Sequence, residues 1–372
     1  ETVEDFFTLQ ATRDPVAPDG FIPVVFGTKQ NVNASATLSQ LIFDGSYLVG
    51  LQASRTYLKI SKQAKEKTEL ATREAVINAY GNVLVSEKSI EILKGNLNIV
   101  EKNLEDAKKI NENGLNEEED VEQLEITLGN IQNQLLNVQR LTEISYQMLN
   151  LALGNPIDTQ IVLTDNLSEL VQENIALELI AKEFNVNEHI DFKIAENDRE
   201  SKRLLMKLEQ SKSLPTLSAF LNYGSQAFAD SFNFFDSSQN WFNVSLVGVN
   251  LNVPIFSSFG RSAKTAQAKI DLENADIKLK ETKQQLSLQA KKAKSDYQFS
   301  IKNYETASKN LALAERIEQK QRIKFFEGLS SSFELLQAQN QLYSQQQSYI
   351  QSMLDVIAKK AALENALNIP IK

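Results

Sequence analysis

The sequence predicts a mainly α chain with a minor β component, built as two copies of one unit in which alternating strands precede a long coiled-coil hairpin. Three observations carry this. First, the prolines, Pro15, Pro18, Pro23, Pro156, Pro215, Pro254 and Pro370, leave two long proline-free intervals, and such intervals are where long helices can form. Second, both intervals repeat apolar or small residues in steps of three and four. Val121, Leu124, Leu128, Ile131, Leu135, Val138, Thr142, Ser145, Leu149 and Ala152 do so in the first, with Ile90, Leu93, Leu97, Val100, Leu104 and Ala107 upstream. Leu286, Ala290, Ala293, Tyr297, Ser300, Tyr304, Ala307, Leu311 and Ala314 do so in the second. This is a coiled-coil seam of about 3.5 residues. Third, separated anchors recur at one offset. Gly114-Leu115 returns 214 residues later as Gly328-Leu329, Asp120–Gln123 as Glu334–Gln337, and Leu151–Ile157 as Asn365–Ile371, the mark of a tandem repeat.

Taken in order, residues 1–45 supply the strands of the first repeat. Phe7, Leu9 and Ala11 alternate with Thr8 and Gln10, and Val32–Gln40 sets apolar residues against Asn, Ser and Thr. Residues 46–154 form the first hairpin, whose ascending arm, Ser46 to Asn113, would run roughly 100 Å at about 1.5 Å per residue. The arm stops at Gly114, a C-cap residue, and Asn116 offers an N-cap for the return. Residues 155–213 link the repeats: an apolar run at Ile161-Val162-Leu163, a helix near Glu173–Phe184, and a helix over Asn187–Lys212, forming a small mixed collar around the helices. Residues 214–257 hold two more strands, Leu217–Tyr223 and Asn243–Val253. The second changes apolar phase at Leu246-Val247, which suggests a bulge. Residues 258–367 form the second hairpin, turning at Gly328 with Ser330 to Ser332 as N-caps, and 368–372 are a tail. A helix precedes Pro215, but nothing precedes its repeat counterpart at residue 1, so an N-terminal helix of the mature protein is expected to be missing from the chain.

Composition removes several classes of function. A net charge of −9 with no basic block excludes nucleic acid as partner. The absence of cysteine excludes disulfides, zinc-thiolate sites and thiol catalysis, while permitting an oxidising compartment. No run of about 18 apolar residues exists, so membrane contact requires strands or association of copies. The start, Glu1-Thr2-Val3-Glu4-Asp5, carries no signal-peptide pattern, which a secreted protein would have lost. One histidine, His189, cannot build a catalytic triad, and no phosphate loop or metal-ligand spacing is present. No enzyme and no cofactor are expected, and His189 reads as a solvated or capping residue.

Four strands with an apolar and a small polar face suit a barrel with a watery lumen, or an ordinary half-solvated sheet. A four-stranded sheet has two bare edges, so closing it requires several copies. The connections Arg13–Gln30 and Ser225–Asn240 are long. The second holds Phe228, Phe232, Phe234 and Phe235 with Trp241 at its end, which mark a membrane-interface girdle or pack the loop on its neighbours.

In this order of elements, with Leu214-Pro215-Thr216-Leu217 opening a strand, Val253-Pro254-Ile255-Phe256 closing one and Gly328-Leu329-Ser330 at a hairpin tip, the whole chain resembles the TolC family of outer-membrane factors. The resemblance implies a homotrimer of the Gram-negative outer membrane, reaching into the periplasm. Its subunits would share one transmembrane β-barrel in the outer-membrane lipid and one α-barrel tunnel beneath it. It implies the exit duct of a tripartite efflux pump or type I secretion system, with a periplasmic adaptor (membrane fusion protein) and an inner-membrane transporter as partners. The alternative from another class is a periplasmic coiled-coil adaptor or structural protein without a pore.

The tips, Gly114 with Leu115 and Gly328 with Leu329 and Ser330, are then expected to dock the adaptor. A plain helix–helix turn would also want glycine there, but an exposed leucine asks for a partner. Acids just past the tips come next. The resemblance places Asp120 and Glu334 near a periplasmic constriction, where three-fold symmetry makes one carboxylate a ring, with Gln337 standing where some relatives carry a second acid. Acids in a first helical turn also favour the helix dipole, which suffices for the run Glu117–Asp120.

Overall fold

The computed structural model describes residues 27–114 and 117–369. In chain order these form β1 (Gln30–Phe43), α1 (Gly45–Glu112), α2 (Glu118–Leu153), α3 (Leu167–Glu173), α4 (Leu177–Ala181), α5 (Ile190–Ser211), β2 (Thr216–Ala229), β3 (Trp241–Asn252), α6 (Gly260–Phe326) and α7 (Ser332–Ala366). Two compact units divide the chain, one within Glu1–Ser54 and Arg203–Ile270, the other within Arg55–Lys202 and Asp271–Lys372. The strand expected at Phe7–Ala11 lies outside the described residues.

The first unit holds an antiparallel sheet in the order β1-β2-β3. Register runs from Gln30 opposite Ala229 to Phe43 opposite Leu217, and from Thr216 opposite Asn252 to Ala227 opposite Trp241. With 14, 14 and 12 residues, the strands exceed the roughly 9–11 needed to cross a hydrocarbon core. One face carries the row Leu38, Leu221, Val247; the next row on the other face is Thr37, Asn222, Leu246, where Asn222 Nδ2 donates to Thr37 Oγ1 at 2.7 Å. Both β1 and β3 are edges among the described residues. Asp44 caps the start of α1, its Oδ1 accepting from Ser46 N at 2.6 Å.

Two expectations for this sheet fail. The bulge at Leu246-Val247 is absent, and pairing of β2 with β3 is continuous; the register shift lies instead between Leu41 and Phe43. With pairing unbroken, Phe242, Val244 and Leu246 share one face of β3 and Val247, Val249 and Leu251 the other, and Phe220 of β2 lies over its partner Gly248. The ring lies 2.6 Å from where a Cβ on Gly248 would sit. The loop expected over Ser225–Asn240 is also shorter. Ser225 to Ala229 pair with Gln30 to Ala34, a long-range contact that overrides the Gly-Ser turn signal. Within the remaining loop Phe234 is buried with Ala227 and Ala229, while Phe232 and Phe235 are exposed.

The second unit holds the hairpins. Its largest core joins Leu84 of α1, Leu167 and Val171 of α3, Tyr297 and Ile301 of α6, and Ile350, Met353, Val356, Ile357 and Leu363 of α7. The helix expected at Glu173–Phe184 is displaced and split into α3 and α4. Asn166 caps α3, and the break is held by Tyr297, whose hydroxyl donates to Asn174 O at 2.6 Å and accepts from Ala176 N at 2.9 Å. No strand forms at Ile161–Leu163. His189 caps α5, its Nδ1 accepting from Asp191 N at 3.1 Å, and it is buried rather than solvated. Burial, with Lys67 and Lys193 nearby, lowers its pKa against the opposing pull of Asp191.

Candidate functional site

The candidate site is the end of the second unit where both hairpins turn. Helix α6 closes with a Schellman motif: Leu329 N donates to Lys324 O at 2.8 Å and Gly328 N to Phe325 O at 3.0 Å, with Gly328 at φ 70°. Gly114 repeats the left-handed turn at φ 73°, and Leu115 and Asn116 lie outside the described residues. A Schellman motif commonly packs its final apolar residue on the side chain five positions back. Here that residue is Lys324, and Leu329 is 72% exposed. Phe333, one turn further, is 70% exposed. In the sequence Phe333 is hidden among cap residues, and an aromatic in a first helical turn is the signal that marks it.

The returning helices begin differently. Ser331 and Glu334 form a capping box, in which Ser331 Oγ accepts from Glu334 N at 3.3 Å and Glu334 Oε2 accepts from Ser331 N at 3.2 Å. Ser330 Oγ donates to Gln321 O at 3.4 Å, tying the turn to α6. At the first tip the N-cap is Glu117, with no side-chain bond, and Glu118, Glu119 and Asp120 follow in the first turn. Glu334 therefore has a local role in the cap. Gln337 is exposed and Asp120 half-buried, and α2 and α7 set Asp120 and Glu334 at repeat-equivalent positions.

Behind the tips, Gln123, Leu124 and Thr127 of α2 meet Phe325, Ser332, Leu335, Leu336 and Gln339 around a cavity of about 10 Å³, room for one water at most. Gln339 is buried with neither amide atom hydrogen-bonded. Beside it stands Glu318, 5% exposed, with Arg322 Nη1 4.0 Å away. Burial raises the Glu318 pKa, opposed by Arg322 and by the neighbouring Gln339. Burial and then Glu318 push the Tyr343 hydroxyl up. One sign of this is legible in the sequence: an acid continues the seam four residues after Ala314. No cluster of metal-ligating side chains occurs among the described residues, and no described helix is long and apolar enough to cross a membrane.

A family model described as outer membrane efflux protein matches residues 25–155 and 186–368. No curated protein matches significantly. Among solved structures, the outer membrane protein VceC from Vibrio cholerae superposes with a TM-score of 0.74 at 16% identity, covering 98% of this chain and 85% of that one. The Campylobacter jejuni CmeC outer membrane channel gives 0.74 at 15%, covering 98% and 76%. The Neisseria gonorrhoeae MtrE outer membrane channel in its open state gives 0.70 at 14%, covering 91% and 80%. At these identities the likeness concerns the fold.

Proposed function

The chain belongs to the outer membrane efflux protein family, and on that premise we propose that three copies build an exit duct conducting substrates passively across the outer membrane. The observation that carries this is the sheet: strands long enough to span a bilayer, the row Leu38, Leu221 and Val247 on one face, Thr37 and Asn222 with Leu246 on the other, and two edges, β1 and β3, unpaired among the described residues. Such edges are satisfied in lipid only by closure with other copies. A pore-less adaptor has no use for that surface.

Family membership brings a role in a multi-component pump with adaptors and an inner-membrane transporter. In our reading the adaptor docks at the tips, on Leu329 and Leu115 at the turns made by Gly328 and Gly114, with Ser330 holding the second turn. Exposed Leu329 and Phe333 support this. Glu334, Asp120 and Gln337 line the periplasmic entrance, with the Glu334 carboxylate keeping one oxygen in its cap. Single-channel conductance of the detergent-extracted protein in planar bilayers tests the reading. Discrete cation-preferring openings that become less selective in Glu334→Ala support duct and gate together. Openings indifferent to the substitution keep the duct and remove the gate residue, and a verified oligomer without openings overturns the duct.

A further inference from the structure

Where the two hairpins of one chain meet, α1 lies against α7, and an amide pair marks the register. Asn96 Nδ2 donates to Gln346 Oε1 at 2.8 Å, and Gln346 Nε2 donates back to Asn96 Oδ1 at 3.3 Å. Asn96 is 5% exposed. Farther along the same seam Asn365 donates to Glu74, and Arg73 meets Glu364 at 2.6 Å. A reciprocal amide pair on a helical seam, with one partner buried and the other half-buried, fixes which turns lie level with which.

The repeat carries α1 onto α6 and α7 onto α2 by the 214 positions that separate Gly114 from Gly328. Asn96 maps onto Asn310 and Gln346 onto Gln132: the same two amides, yet both exposed. Glu74 and Asn365 map onto Leu288 and Leu151, two leucines 69% and 71% exposed. A solvated face gives no reason to preserve a matched amide pair, or to replace a polar pair by two leucines at corresponding places. On α6, Leu288, Phe299 and Asn310 recur every eleven residues, a spacing that returns to one helix face. Charge agrees as well. The mapped register sets Lys324 of α6 level with Glu118 of α2, and neither has an ion pair among the described residues.

We infer that α6 of one copy packs on α2 of a second copy as α1 packs on α7 within a chain. Asn310 then pairs with Gln132 of the partner subunit, Leu288 meets Leu151 of the partner subunit, and Lys324 meets Glu118 of the partner subunit. This rests on the multi-copy reading above and adds which residues meet. The seam within a chain is fastened by ions and amides; the seam between copies keeps the amides and exchanges the Glu74–Asn365 bond for apolar contact.

The chain has no cysteine, so single cysteines report cleanly. Chains carrying only Asn310→Cys are co-expressed with chains carrying only Gln132→Cys, and membranes are oxidised with copper phenanthroline. The expected product is a reducible band at twice the subunit mass, seen also with Leu288→Cys and Leu151→Cys. It should be absent with Asn310→Cys and Gln139→Cys, which is out of register by about two turns. Light scattering of the extracted protein separates the remaining cases. An oligomer whose cysteines react with maleimide but do not cross-link, or cross-link equally at Gln139→Cys, overturns the register and leaves assembly standing. A monomer throughout overturns the multi-copy reading and this inference with it.

Discussion

Ten residues before each turn glycine, the two hairpins place opposite chemistries at one position of the fold. In the first hairpin it is Leu104, buried with Ala107 and Leu124 and flanked by Val121 and Leu128. In the second it is Glu318, equally buried, facing Gln339 and Tyr343 with only a distant Arg322 as counter-charge. The apolar version supplies stability from burial. The ionic version gives stability away, because a desolvated carboxylate regains little from one long ion pair. The hairpin end with the exposed Leu329 and Phe333 is thus the one whose interior is least committed, and low local stability is what a segment that rearranges against a partner requires.

Giving the first hairpin the second one's chemistry has the largest expected effect. Leu104→Glu should cost roughly 3–5 kcal/mol, as an uncompensated buried charge does, read from the urea midpoint of the helical circular dichroism signal. The reverse exchange, Glu318→Leu, should gain on the order of 1–3 kcal/mol in the same assay; no gain would mean that the polar cluster is better satisfied than its geometry indicates. The sign with pH follows from the carboxyl itself. Its folded pKa lies above the ordinary 4.5, so the folded chain binds the proton more tightly, and stability falls as pH rises from that value through the folded one. Glu318→Gln should flatten this decline, with no corresponding pH effect at Leu104.

Smaller effects sharpen the comparison at the turns. Gly114→Val and Gly328→Val should each lose about 1–2 kcal/mol, since both force a branched residue into the left-handed region. Equal losses would show that the glycines serve the turn alike in both repeats. Ser331→Ala should cost about 1 kcal/mol by removing the cap of α7, whereas Glu117→Ser should gain up to about 1 kcal/mol by supplying α2 with the cap it lacks. Thermal midpoints moving in opposite directions are the readout.

Proline gaps, three-four periodicity and the 214-residue offset made the long helices legible, because each is a local or self-similar property of the chain. The left-handed turns were legible for the same reason, since Gly114 and Gly328 stand where the periodic runs stop. What escaped was decided by neighbours distant in sequence. Continuous pairing of β2 with β3 left no bulge at Leu246-Val247, pairing with Gln30–Ala34 lengthened β2, and the Tyr297 hydroxyl split one expected helix into two. At the candidate site the capping box used residues already singled out. Exposed Phe333 and buried Glu318 became visible only when α6 and α7 were set side by side.

That Tyr297 hydroxyl also imposes an order of events. It closes the break between α3 and α4 across separations of 121 and 123 positions, so in N-to-C export those two helices emerge well before the side chain that joins them. The first hairpin can pair as soon as both its arms are made, because its contacts are near in sequence. The α3–α4 segment must wait, its backbone groups on water, until α6 has emerged. A chain halted before Tyr297 emerges would carry a finished first hairpin and an unfinished α3–α4 segment.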